Sequence, residues 1–224
     1  MPAKATAPAA PIATPPRTRP KPGERRGQIL QTLAAMLEQP GGERITTAAL
    51  AARLDVSEAA LYRHFASKAQ MFEGLIDFIE STVFGLARQL DEREPVPLAR
   101  CLKRVTLLLQ FAEKNPGMAR VMAGDALVLE HERLQQRMNL FFDKFEAQLK
   151  QCLRQSAPTA QSDDGDPAAA PANATPDATP DAHAQARAAL LTAFCMGQLQ
   201  RYVRSGFKRM PTEQLPQRLV LVIN

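Results

Sequence analysis

Apolar residues recur at three- and four-residue steps along most of this 224-residue chain, and no segment alternates with period two for long enough to predict a strand. Residues 25–38 place Ile29, Leu30, Leu33, Met36 and Leu37 on one helical face, and Pro40-Gly41-Gly42 ends that helix. A second, miniature helix over 47–54 carries Leu50, Ala51 and Leu54. A third spans 57–65 with Ser57 as its N-cap, and Ser67 caps a long fourth with the stripe Phe72, Ile76, Ile79, Val83, Leu86 and Leu90. Pro95 and Pro97 introduce a fifth helix, whose Leu107-Leu108-Leu109 run makes it apolar on more than one side and therefore central. Asn115-Pro116-Gly117 breaks the chain again, a long amphipathic helix is expected over 125–154 and another over 184–205, and Leu215, Leu219 and Ile223 suggest a short last one.

Composition divides this helical pattern. Of 18 prolines, seven fall in residues 1–22 and five in residues 156–181, stretches rich in Ala and poor in large apolar groups. Neither can bury enough surface to offset its ordering entropy. The expected organisation is a disordered arm over 1–22, a DNA-reading domain over 23–83, and a helical domain over 84–224 that contains a disordered insert over 156–183. The arm carries Lys4, Arg17, Arg19 and Lys21 with no acid, whereas the insert carries five Asp with no base. The net charge of +5 conceals this polarity. No run approaches the length of a membrane span and the N-terminus lacks an apolar signal core, so a cytoplasmic location is expected. Cys101, Cys152 and Cys195 are odd in number and far apart, each within a helical apolar pattern, which predicts buried reduced thiols rather than a metal site.

The densest chemistry lies in residues 46–72, TTAALAARLDVSEAALYRHFASKAQMF. Physically this reads as two short helices about a tight turn, with Leu50, Leu54, Val56 and Leu61 as their shared core and Ala51 where they cross. Asp55 tolerates the left-handed backbone such a turn needs. Ser57 opens the second helix and turns its hydroxyl toward bound phosphate. The outward face shows Glu58, Ala59, Ala60, Tyr62 and Arg63. Small side chains there admit the helix to a major groove, and Ala methyls can meet thymine methyls. Tyr62, His64 and Lys68 are suited to phosphates on the rim.

Thr46 and Thr47, Leu50-Ala51, Val56-Ser57, Leu61-Tyr62, His64-Phe65, Ser67-Lys68 and Phe72 together resemble the signature of TetR-type helix-turn-helix proteins, with Asp55 where that family usually has Gly. The resemblance implies an all-α, TetR-like fold: an N-terminal three-helix reading domain and a C-terminal helical domain that dimerises. Two recognition helices would then stand roughly 34–36 Å apart on double-stranded DNA. Over 23–70, six bases face five acids, so the arm supplies most of the positive charge beside the DNA. Deleting residues 1–22 is expected to weaken DNA binding and flatten its salt dependence, and an unchanged slope of log affinity against log salt in the truncated protein would reject this.

Residues 44–80, 113–155 and 193–212 resemble, more narrowly, the nucleoid occlusion branch of the same family. That resemblance implies a nucleoid-associated dimer that, when DNA-bound, engages the tubulin-like division GTPase FtsZ and disrupts its polymers. It also implies a partner groove between the fourth and fifth helices. Phe78 stands off the main stripe on a shoulder with Met71, Leu75 and Thr82, facing Leu107 and Lys114-Asn115, with Arg88 and Lys114 near the rim. The competing reading is that Phe78 and Leu107 are simply core. Two other functions compete with this one. A ligand-responsive TetR-type repressor would need a closed apolar pocket in the C-terminal domain. An enzyme is disfavoured, because His64, His131 and His183 are scattered and there is no metal-ligand spacing, phosphate-cradling glycine loop or nucleophile elbow. No cofactor is expected.

Overall fold

A computed structural model describes residues 23–39, 44–156 and 179–223. The arm, and the insert between 157 and 178, lie outside them. Among the described residues the chain is helical throughout: α1 Glu24–Leu37, α2 Thr47–Arg53, α3 Glu58–Tyr62, α4 Lys68–Arg93, α5 Pro97–Lys114, α6 Pro116–Met122, α7 Glu132–Ser156, α8 Pro180–Arg204 and α9 Leu215–Ile223.

Local chemistry sets the starts of these helices. The hydroxyls of Thr46, Ser57 and Ser67 accept from the backbone N–H of Ala49, Ala60 and Gln70 at 3.1, 3.3 and 3.2 Å. Each satisfies one of the donors that a helix N-terminus leaves without a partner. Pro97, Pro116 and Pro180 occupy first-turn positions, where their missing N–H is no loss.

Three expectations shift. The 115–117 break is only one residue wide: Asn115 leaves helical geometry, its side chain donates to the Phe111 carbonyl at 2.7 Å, and Pro116 starts α6 at once. The helix expected over 125–154 begins instead at Glu132, after a 3-10 turn at Asp125–Leu127. Gly124 and Leu129, with φ of 79° and 67°, interrupt any continuous helix there. Ser156 and residues 180–183, assigned by sequence to the insert, belong to α7 and α8.

The C-terminal body is built around α5, which packs against α4, α6, α7 and α8. This is the position its two-sided apolarity predicts. Cys101, Val105, Leu108, Leu109 and Ala112 are all buried on it. The buried guanidinium of Arg104 is compensated by Asp91, whose two oxygens accept at 2.6 and 2.5 Å, and by Gln148 at 2.7 Å. All three cysteines are free and buried. Burial pushes the Cys101 thiol up to about 12 and raises Cys152 and Cys195 as well, so none is a thiolate near neutral pH.

The reading head, α1–α3 with the start of α4, joins the body through α6, which packs on α1. Gly117 makes that approach possible. A Cβ on it would lie 2.2 Å from the Ala34 carbonyl oxygen and 3.3 Å from the Leu37 Cβ. The buried Arg120 adds a polar tie, donating to the Leu37 carbonyl at 3.2 Å and to Asp125 at 2.7 Å.

Candidate nucleic-acid interface and partner groove

The helix-turn-helix forms as its spacing predicts. Leu50, Ala51, Leu61 and Phe65 are buried between the helices, with Leu54 and Val56 packed at their edge. The turn passes through Asp55 at φ 54°, and the Val56 N–H returns to the Ala51 carbonyl at 3.0 Å. Glu58, Ala59, Tyr62, Arg63 and His64 are exposed and Ala60 is half-buried, so α3 presents an outward face of mostly small and polar groups.

That face carries its own polar bracing. Thr47 donates to Glu58 at 2.6 Å and accepts from the Tyr62 hydroxyl at 3.5 Å, linking the first residue of α2 to both ends of α3. From behind, the Arg26 guanidinium donates to the His64 carbonyl at 2.6 Å and lies 4.1 Å above the Phe65 ring. A cation at the C-terminal end of the recognition helix neutralises carbonyl groups that have no partner within the helix. Arg26 lies 38 residues from its acceptor in sequence, and nothing local to either residue signals the contact.

Lys68 is placed differently from a free rim cation. Its ammonium pairs closely with Glu130, a residue of the body, and lies 5.5 Å from the Phe72 ring centre. Arg44 approaches the same carboxylate at 3.4 Å. Thr46 and Ser57 serve as helix caps, each with its own hydroxyl proton left to donate outward.

On the α4–α5 side, Phe78 is 46% exposed, which places it outside the core. Its ring stands 6.3 Å from that of Phe111, a residue hidden in the α5 stripe and only 7% exposed. Phe111 is the hub that sequence reasoning missed. Asn115 bonds its carbonyl, while Leu107 and Lys114 lie four and three residues away on the same helix. Leu107 is half-buried against the core and Lys114 is exposed. Met71 and Leu75 do not share the Phe78 shoulder; both are fully buried. Arg88 is exposed ten residues further along α4, about 15 Å from Phe78 along the axis, and lies outside this cluster. A cleft of about 680 Å³ opens between α5 and α9, lined by Leu102, Thr106, Gln110, Leu215 and Leu219, with solvent on one side.

Comparison with known proteins follows both halves of this architecture. The family model of bacterial regulatory proteins of the tetR family matches residues 29–75, and the SlmA-like model of the tetracyclin repressor-like C-terminal domain matches residues 97–163. The nucleoid occlusion factor SlmA of Idiomarina loihiensis is 49% identical over 189 residues, covering 84% of this chain and 88% of that protein. The chain belongs to the SlmA family of nucleoid occlusion factors. SlmA of Shewanella sediminis is 45% identical over 198 residues, covering 88% and 92%. Among solved structures, a TetR-family transcriptional regulator from Bordetella parapertussis superposes with a TM-score of 0.64 at 18% identity, over 90% of this chain and 95% of that one. FadR from Bacillus subtilis, determined with stearoyl-CoA, gives 0.63 at 12% identity, over 88% and 97%. Like other SlmA proteins, the chain is a helix-turn-helix DNA-binding regulator of TetR type. No described helix is long and apolar enough to cross a membrane.

Proposed function

We propose that this chain, bound as a dimer to chromosomal sites, antagonises FtsZ polymers and so keeps the division ring off unsegregated DNA. The observation that carries the reading is the extent of the likeness to SlmA proteins, which runs through the C-terminal body as well as the reading head. The reading places the protein on the nucleoid, in the cytoplasm.

The chemistry on each surface is consistent with that division of labour. α3 supplies Ala59 and Ala60 for the groove, with Thr46, Thr47, Ser57, Tyr62, Arg63 and His64 around it. Lys68 contributes once released from its carboxylate. On the body, the half-exposed Phe78 over Phe111, flanked by Leu107, Lys114 and Asn115, offers an apolar floor with a basic end for an extended tail segment. On α8, Leu190, Ala193, Met196 and Gly197 recur at three- and four-residue steps and are exposed, as is Leu140 on α7. That pattern suits a four-helix interface between two copies.

The test is sedimentation of GTP-assembled FtsZ with this protein, with and without duplex that the protein has itself selected from chromosomal fragments. Loss of pelleted polymer in the presence of DNA is expected. Undiminished polymer in both arms would leave a TetR-type DNA-binding protein without the division role.

A further inference from the structure

We propose that Glu130 sets the reading head's affinity for DNA by competing with backbone phosphate for Lys68 and Arg44. The proposal rests on the reading of Lys68 as a phosphate contact and assigns the same role to Arg44. Lys68 opens α4 just after the recognition helix, and Arg44 lies three residues before α2. They therefore flank the helix-turn-helix on both sides, where duplex backbone runs past a helix seated in the groove.

Both cations converge on one carboxylate that the head does not own. Lys68 Nζ and Arg44 Nε both meet Glu130 Oε1, and Arg44 Nη2 donates to the Leu129 carbonyl at 3.2 Å. Exposed ion pairs contribute little, and Arg44 is 60% exposed, so its hold on Glu130 is the weaker of the two; the Glu130 side chain is only 7% exposed and that of Lys68 only 18%. The carboxylate sits in the wall of an open cavity of about 220 Å³ at the junction of head and body, beside Phe72, Ile45 and Leu37; the other cation lining it, Arg120, is already paired with Asp125 at 2.7 Å. A carboxylate so enclosed cannot be left without a cation. The loop that delivers it is a tight turn, closed by the Glu130 N–H on the Leu127 carbonyl at 3.1 Å and tied to the head by Arg44. Leu129 stands at φ 67° with its side chain on the surface, a conformation that bulky residues adopt only when their surroundings enforce it.

Two cations share one acid, so a phosphate can take one while the other stays to neutralise Glu130. The parent protein thus gains one phosphate contact here, and removing the acid frees both cations for two. Removing Lys68 alone leaves Arg44 captive and gives none. Removing Lys68 and the acid together returns the count to one.

The experiment measures affinity for a labelled mixed-sequence duplex of about 40 base pairs between about 50 and 200 mM salt. Each phosphate contact adds about 0.9 to the slope of log affinity against log salt, roughly a threefold change in affinity across that range. Glu130→Gln should steepen the slope by about 0.9, Lys68→Ala should flatten it by the same amount, and the double variant should restore the parent slope. Arg44→Ala, alone and with Glu130→Gln, repeats the test on the other cation should either Lys68 variant fail to fold. A Glu130→Gln variant that melts like the parent yet leaves the slope unchanged, or fails to rescue Lys68→Ala, overturns the competition. A parent protein that binds no duplex at all would instead overturn the DNA-reading assignment, and the competition with it.

Discussion

Gly117→Ala is expected to lower the melting temperature by about 5–10 °C, although alanine is the better helix former. The reason is position. The added methyl would stand 2.2 Å from a backbone oxygen of α1, with the Ala34 carbonyl carbon at 3.0 Å and the Leu37 Cβ at 3.3 Å. A flexible side chain could turn aside, but a helix backbone must move as a whole. Overpacking of this kind costs about 1–3 kcal/mol, and here it also pulls the Leu37 carbonyl away from the buried Arg120, a further hydrogen bond to a charged group worth about 2 kcal/mol. Intrinsic propensity returns about 1 kcal/mol. The net loss acts on the seam between head and body, so DNA affinity should fall with stability. Calorimetry of the variant beside the parent checks this, and an unchanged melting temperature would show that α6 can shift freely over α1.

Phe78→Ala should abolish the loss of FtsZ polymer while leaving DNA binding intact. On the proposed reading this ring is the anchor of the partner groove. Truncating a central aromatic anchor typically costs 2 kcal/mol or more, roughly thirtyfold in affinity. Its structural role is smaller. The ring is nearly half exposed, and its contact with Phe111 is worth about 1 kcal/mol. The two effects therefore separate in one preparation, with the melt reporting the fold, duplex binding the head and sedimentation the groove. A variant that unfolds would return Phe78 to the core; one that still removes polymer would move the partner site elsewhere.

What was legible in the sequence was local. The helix-turn-helix could be read because its caps, its turn residue and its small core lie within about 27 residues, each at a spacing that helical geometry dictates. The left-handed Asp55 and the Ser57 cap are chemistry that a residue declares by its own type. The body's long helices could be read from period, with α5 correctly central, but period misses α6 as a helix altogether and begins α7 seven residues early. Illegible were the contacts that join distant segments. Phe111 reads as one more apolar position in a stripe, and only the crossing of α4 shows that its ring supports Phe78. Glu130 falls within an apparently continuous amphipathic pattern, yet the chain there is a loop. A leucine at positive φ carries no signal in its own side chain; it sits at the corner of a turn that the Glu130 N–H closes on the Leu127 carbonyl at 3.1 Å, and the Arg44 contact that ties this turn to the head comes from 85 residues earlier. Gly117 was legible only as a breaker, whereas its structural role is a close approach to a helix remote in sequence.

The three buried thiols give the molecule an internal clock. Cys101, Cys152 and Cys195 lie on α5, α7 and α8, the helices that together form the body's interior, and burial holds each in its protonated, unreactive form. An alkylating reagent in the surrounding solution therefore records only the moments when these helices part. Its rate of incorporation measures how often the body opens, without any dye or engineered label. A cysteine placed on the reading head would be modified against a silent background.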